Sequence, residues 1–225
     1  MVLQGWARRQ ETLRKWRNEI WESEEKADQR QVYLRWHWDF FRGFYEPVAT
    51  PQARILDVGC GYMLKNFQQA GALQDLLERL GGRYTGIDPI DEWFTLQGEF
   101  PVELHQGMGE ALPFADQSFD AVLHLGALDH AARPGRVLAE VHRVLRPGGT
   151  LWFANSFIQG SLLSVWVQTL RHWLGQDEHH RFVWTPRGLE GRIRRAGFNV
   201  VKTAYCSCDV SYYIRAERPG NGHVC

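Results

Sequence analysis

Lysine is scarce in this 225-residue chain, with 4 residues against 22 arginines. The arginine excess creates no net field, because 26 basic residues meet 26 acidic ones and the formal charge at pH 7 is zero. A chain without a basic excess has no long-range pull toward nucleic acid, and one without an acidic excess has none toward cationic partners. No nucleic-acid partner is expected. Long apolar runs are also missing. None reaches the roughly 18 residues that a membrane-crossing helix needs, so no membrane span is expected. The first residues, MVLQGWARRQETLRKW, lack the apolar centre of a secretory signal. Cysteine is sparse too. Cys60, Cys206, Cys208 and Cys225 form no C-x-x-C pair, and the histidines are scattered, so neither a disulfide framework nor a metal site is expected. A cytoplasmic protein with free thiols is the economical expectation. Internal repeats and low-complexity tracts are absent.

What is present is an alternation of short apolar runs with helical patterns. Arg54 to Val58, Tyr84 to Asp88, PVELHQG, Phe119 to His124 and TLWFANSF read as five strands. Leu64, Phe67, Leu73, Leu76, Leu77 and Leu80 read as one helix stopped by Gly81 and Gly82, and Pro134 opens another carrying Val137, Leu138, Val141, Val144 and Leu145. DEWFTLQGEF is a short helix or loop, and RPGG is a helix stop and turn. Strands alternating with helices imply an α/β fold, with a mostly parallel sheet covered on both faces. Thr185 to Ala196 reads as a last helix, before NVVKTAYC and VSYYIRAER as an antiparallel pair closing the sheet edge.

Residues 1–48 form a charged extension holding five of the ten tryptophans, Trp6, Trp16, Trp21, Trp36 and Trp38, whose rings would pack helices onto the main domain. The main domain runs over 49–218, with a helical insert at about 158–184, and 219–225 is a tail. In the insert, SLLSVWVQTLRHWL is amphipathic. It could pack on the core, form a dimer surface or wall a substrate site, and the oligomeric state stays open.

The most informative stretch is ILDVGCGYM, Ile55 to Met63. An apolar strand runs into Gly59 and Gly61 and then a helix-compatible segment. Such a turn permits a sharp reversal and close approach of a ligand to the backbone, and the helix start beyond it attracts negative charge. The segment YTGID follows, and Asp88 falls 27 residues after Gly61. That spacing suits a second strand delivering a carboxylate to a ribose diol. Asp88 could equally cap a turn with Pro89 behind it.

In order along the chain, ILDVGCG, TGID, EALPFADQSFDAVLHLGALDH and LRPGGTL resemble the successive motifs of class I S-adenosylmethionine-dependent methyltransferases. The likeness is greatest to the subgroup that methylates small molecules. It extends from about Arg54 to Phe157 and resumes at Thr185 to Val201. It implies a Rossmann-like methyltransferase fold: a mostly parallel seven-stranded sheet with helices on both faces and an antiparallel closing strand. It also implies S-adenosyl-L-methionine as cofactor and a small-molecule acceptor methylated at oxygen, nitrogen or carbon. Asp57, Gly59, Cys60 and Gly61 would then line the methionine end. Asp88 and Pro89 would take the ribose, the segment Gly107 to Glu110, with Met108 and Gly109, would lie beside the adenine, and His124 would lie near the methionine or sulfonium end. Residues 1–48 would double as a lid over the acceptor pocket.

Two positions depart from that pattern. Met63 stands where many relatives have a third glycine, and Met108 where many have an aspartate that accepts from the adenine amino group. For a general base, the resemblance and ordinary histidine chemistry leave His130, with Asp129 beside it, and His179 or His180. Cys60 also reads as a small buried filler. Cys206 and Cys208 read as free thiols sharing one face of a strand. Two other functions stay open. One is a relative that binds the cofactor without turnover. The other is an NAD(P)-dependent oxidoreductase, against which the third position of G-x-G-x-x-G is Leu64.

Overall fold

The computed structural model describes residues 39–41, 43–45, 52–61, 64, 67–68, 71–156, 170, 184–206 and 211–220. Met63, His179, His180, Cys208, Cys225, the five N-terminal tryptophans and nearly all of the 158–184 insert lie outside them.

Seven strands form one sheet: β1 (Arg54–Val58), β2 (Arg83–Asp88), β3 (Val102–Gln106), β4 (Phe119–Leu125), β5 (Leu145–Ser156), β6 (Asn199–Cys206) and β7 (Ser211–Glu217). Their spatial order is β3-β2-β1-β4-β5-β7-β6. The first five pair in parallel, and β7 runs antiparallel to both β5 and β6. The expected Rossmann-like sheet with its antiparallel closing strand is present. The order reverses between β1 and β4. In parallel sheets the carboxyl ends of the strands flanking such a reversal leave a crevice for ligands.

Among the described residues, the helices α1 (Leu73–Leu80), α2 (Pro134–Val144) and α3 (Pro186–Arg195) cover the sheet. Pro134 and Pro186 sit at helix starts, where a missing N–H costs nothing, and Thr185 Oγ1 caps α3 by accepting from Gly188 N. Alternation along the strands sorts their side chains between two cores. Ile55, Tyr84, Leu104, Leu123 and Trp152 pack on one face with Leu64, Phe67 and α1. Leu56, Val58, Ile87, Val122 and Phe153 pack on the other with α2 and α3. Phe41, Phe44 and Tyr45 complete the first core, where Phe44 meets Trp152 edge-on at 5.5 Å and Tyr45 lies 4.7 Å from the same ring. The tryptophan rings expected to pack the extension onto the domain lie outside the described residues.

Three local expectations change. The leucine pattern expected to form one helix from Leu64 to Leu80 is interrupted at Gly71, at φ 67°. Gly71 N donates to Gln68 O and Ala72 N to Phe67 O, a paired C-terminal cap that ends one helical segment before α1 begins. The RPGG segment is not a separate turn but the start of β5, where a register irregularity in the pairing with β4 absorbs Gly148 at φ 75°. Cys206 is disulfide-bonded, not a free thiol, with its partner outside the described residues, whereas Cys60 is free.

Candidate active site

The carboxyl ends of β1, β2, β3 and β4 bring their following loops together. Gly59 N donates to Ile87 O at 2.8 Å, which folds the glycine turn onto β2. Gly107 N donates to Asp88 O at 3.0 Å, which folds the loop after β3 onto the same strand end. His124, at the end of β4, donates from Nδ1 to Val58 O at 2.7 Å, so the ends of β4 and β1 are joined by a side chain. These contacts gather Asp57, Gly59, Cys60, Gly61, Asp88, Pro89, Met108, Gly109 and His124 around one end of the sheet.

Gly59 has φ 78°, and a Cβ on it would lie 2.5 Å from Ala127 Cβ. The glycine turn is thus tight because the loop after β4 presses against it. The Cys60 side chain turns inward and is buried; its Sγ would lie 2.6 Å from a Cβ at Gly86. The filler reading of that side chain holds, and its backbone is left to the turn.

Asp88 performs the turn-capping role and more. Its Oδ1 accepts from Ile90 N at 2.8 Å and its Oδ2 from Gly61 N at 3.0 Å. It therefore holds the start of the helix after the glycine turn. The carbonyl of Pro89 accepts from Gln106 Nε2 at 3.2 Å, a bridge from the end of β3 to the residue after β2.

Asp57 is the most constrained group. It is buried, and its Oδ2 accepts from Tyr84 Oη at 2.7 Å. Its Oδ1 has no hydrogen-bond partner among the described residues. Burial pushes its carboxyl up to about 7; the Tyr84 hydrogen bond opposes the rise and the nearby Asp88 charge adds to it. A buried acceptor left unpaired is costly, and a donor from a ligand would remove that cost. His124 is likewise buried, with no partner for Nε2 among the described residues, and burial lowers its pKa so that it stays neutral.

The loop carrying Met108 and Gly109 is anchored from outside. Glu110 Oε1 accepts from Ala132 N at 2.8 Å and Arg133 N at 3.2 Å. Arg143, on α2, donates to the carbonyls of Leu112 at 3.0 Å and Phe114 at 2.8 Å, and pairs with Glu140 at 2.8 Å. A Cβ at Gly109 would press on Val58 and Val137 at about the closest normal contact, 3.0 and 3.1 Å. His130 and Asp129 lie on a short 3₁₀ turn after β4, with His130 Nε2 3.9 Å from Asp129 Oδ1.

Sequence reasoning missed Tyr84, Glu140 and Arg143 as site residues. Tyr84 was legible only once the β1–β2 register set it two residues behind Asp57, across the strand pair. The spacing of Glu140 and Arg143 on one helix face was visible, but the carbonyls they hold were not.

A methyltransferase domain family matches residues 56–153, the span that holds every one of these loops. Residues 56–153 thus form a methyltransferase domain, and the chain is similar to the class I S-adenosylmethionine-dependent methyltransferases. The ubiquinone biosynthesis O-methyltransferase of Cereibacter sphaeroides is 28% identical over 177 residues, covering 72% of this chain and 67% of the relative. A Haloferax volcanii protein solved in complex with the Trm112 methyltransferase activator superposes with a TM-score of 0.67 at 19% identity, covering 88% of this chain and 95% of that one. The Burkholderia thailandensis 1,6-didemethyltoxoflavin-N1-methyltransferase, solved with S-adenosylhomocysteine, gives 0.62 at 18% identity, covering 98% and 90%. This methyltransferase uses S-adenosyl-L-methionine and acts on a small-molecule acceptor. The oxidoreductase and binding-only alternatives are set aside with that assignment. No helix among the described residues is long and apolar enough to cross a membrane.

Proposed function

We propose that this enzyme transfers the methyl group to an oxygen of a small, ring-bearing acceptor, with the cofactor's ammonium on Asp57, its ribose on Asp88 and its adenine beside Met108 and Gly109. The observation that carries the cofactor placement is the buried, unpartnered Oδ1 of Asp57, next to the glycine turn at the reversal of strand order. The named O-methyltransferase relative supports oxygen as the acceptor atom.

When bound, the cofactor supplies a methyl group already activated by a positive sulfur, so the protein's task is placement. Asp57 offers a charge-assisted acceptor to the ammonium, and Asp88 offers its carboxylate, at the end of β2, to the ribose hydroxyls. Gly59 and Gly61 let the backbone of the turn come close to the cofactor's methionine end. His130, with Asp129 Oδ1 3.9 Å from its Nε2, would take the acceptor hydroxyl's proton. The alternative base, His179, lies in the insert outside the described residues. Residues 1–48 act as a lid in this reading, supported by Phe40, whose ring lies 4.8 Å from Tyr213 on β7. A cytoplasmic setting and an acceptor other than nucleic acid belong to the same proposal, the latter supported by the zero net charge.

The test is formation of S-adenosylhomocysteine with a panel of phenols, catechols, ring amines and sugars. Turnover is expected with a ring hydroxyl, with kcat reduced about 10²–10⁴-fold in His130→Ala and cofactor binding unchanged. Turnover only with amines would overturn the oxygen assignment, and an undiminished His130→Ala rate would remove that residue as base.

A further inference from the structure

The pairing of Asp57 with Tyr84 is not needed to build the sheet. Tyr84 is opposite Ile55 in the β1–β2 register, while Asp57 is opposite Gly86. The tyrosine hydroxyl therefore reaches diagonally to one carboxylate oxygen, at 2.7 Å, and leaves the other to whatever enters. Both side chains are buried. The groups facing Asp57 among the described residues are few. Tyr84 and Asp88 come from β2, and Cys60 from the glycine turn. The β4 residues on the same face, Ala121 and Leu123, are apolar, as are Leu64, Phe67 and Leu76 from the helical layer. No cationic group is among them, so nothing described compensates a negative charge on Asp57 in the absence of ligand.

We propose that Tyr84 is a positioning residue that turns Asp57 into a proton-exchanging ammonium receptor: the free site holds Asp57 protonated, and cofactor binding expels that proton and replaces it with the ligand's ammonium. This rests on the placement of the ammonium at Asp57 proposed above and adds a thermodynamic consequence to it. The balance is simple. The Asp57 carboxylic acid loses its proton to solvent, and the resulting carboxylate accepts an N–H of the ammonium on Oδ1 while the Tyr84 hydroxyl continues to donate to Oδ2. Net charge in the buried site stays near zero before and after. The burial-raised carboxyl, at about 7, places the exchange in the neutral range. The adjacent Cys60 thiol is pushed well above its ordinary value by burial and by Asp57 and Asp88, so it keeps its proton there.

The experiment is calorimetric titration of the full chain with S-adenosylhomocysteine between pH 6 and 8.5, repeated in buffers of different ionisation enthalpy. This ligand lacks the sulfonium charge, so its own ammonium stays protonated across the range. Wild type should release close to one proton per site at pH 6, about half near pH 7 and almost none at pH 8.5, with affinity rising about tenfold per unit below neutrality. Tyr84→Phe removes the donor to Oδ2 and should move the release midpoint up while weakening binding more at pH 7 than at pH 8.5. Asp57→Asn should abolish the release, and Cys60→Ala should leave it in place. Tight binding with no proton release at any pH would overturn the exchange and leave the cofactor placement standing. Release unchanged in Tyr84→Phe would overturn the role of the tyrosine. Absence of binding at every pH would overturn both this inference and the placement beneath it.

Discussion

Gly59 and Ala127 are packed so closely that a single added methyl group would put two Cβ atoms 2.5 Å apart. The contact joins the turn after β1 to the loop after β4, the two sides of the crevice. Gly59→Ala should destabilise the fold by about 2–4 kcal/mol, from the left-handed φ of 78° and the clash together. Restoring space with Ala127→Gly in the same chain should recover part of the loss and no more, because the backbone strain remains. Denaturant midpoints of the two single variants and the double variant check this; full recovery would mean the φ is not costly.

Arg143 links α2 to the loop that carries the adenine-side residues, through the carbonyls of Leu112 and Phe114. Arg143→Ala strands Glu140, whose carboxyl is held below its ordinary value first by the hydrogen bond from Arg143. A stability loss of about 1–3 kcal/mol is expected, together with a KM for cofactor raised more than kcat is lowered. Steady-state kinetics at saturating acceptor separates this from a purely global loss. Equal falls in kcat and kcat/KM would refute the loop-placing role.

Two buried groups near the crevice respond to pH in opposite directions. Burial raises Asp57, so the native state holds a proton that the unfolded chain gives up, and stability falls as pH rises from about 4 to about 7. Burial lowers His124, so the unfolded chain takes a proton that the native state refuses, and stability falls as pH drops below about 6.5. Between pH 5 and pH 8, Asp57→Asn should therefore gain on wild type by about 1–3 kcal/mol. His124→Phe should lose the acid-side decline. Urea unfolding at the two pH values measures both, and parallel wild-type and variant curves would show that neither group titrates as described.

Met108 occupies the position at which many class I methyltransferases carry an aspartate toward the adenine amino group. Its half-buried place in the loop after β3, with its carbonyl accepting from Ala111 N at 3.1 Å, leaves room at the loop surface for a polar side chain. Met108→Asp should tighten S-adenosylhomocysteine binding about 3- to 10-fold, the worth of one hydrogen bond. Calorimetry against wild type tests it. Weaker binding would mean that the methionine packs on the adenine.

Much of the sheet was legible because β1, β2 and β4 are buried on both faces and read as short apolar runs, and the glycine-turn and acidic-strand signals arose from the residues that shape the crevice. Other features could not be read because their causes are distant in sequence. The leucine pattern from Leu64 to Leu80 carries no sign of the left-handed backbone and two capping bonds at Gly71 that end one helix. Asp57 read as a ligand residue, but its partner Tyr84 lies 27 positions away and is set by strand register. The disulfide at Cys206 was not legible because the four cysteines show no framework spacing.

The order of the strands has a consequence for how the protein comes into being. β7, the last strand in sequence, lies inside the sheet between β5 and β6. While the chain is being synthesised, β5 can pair on its β4 side only, and its other edge stays open until Glu217 has been added. Leu151, Phe153 and Trp152 sit on that open strand. A polypeptide cut short a few residues before Ser211 would carry an unsealed, apolar β edge. The enzyme's passage to the folded state is thus governed by its final strand, far in sequence from the glycine turn.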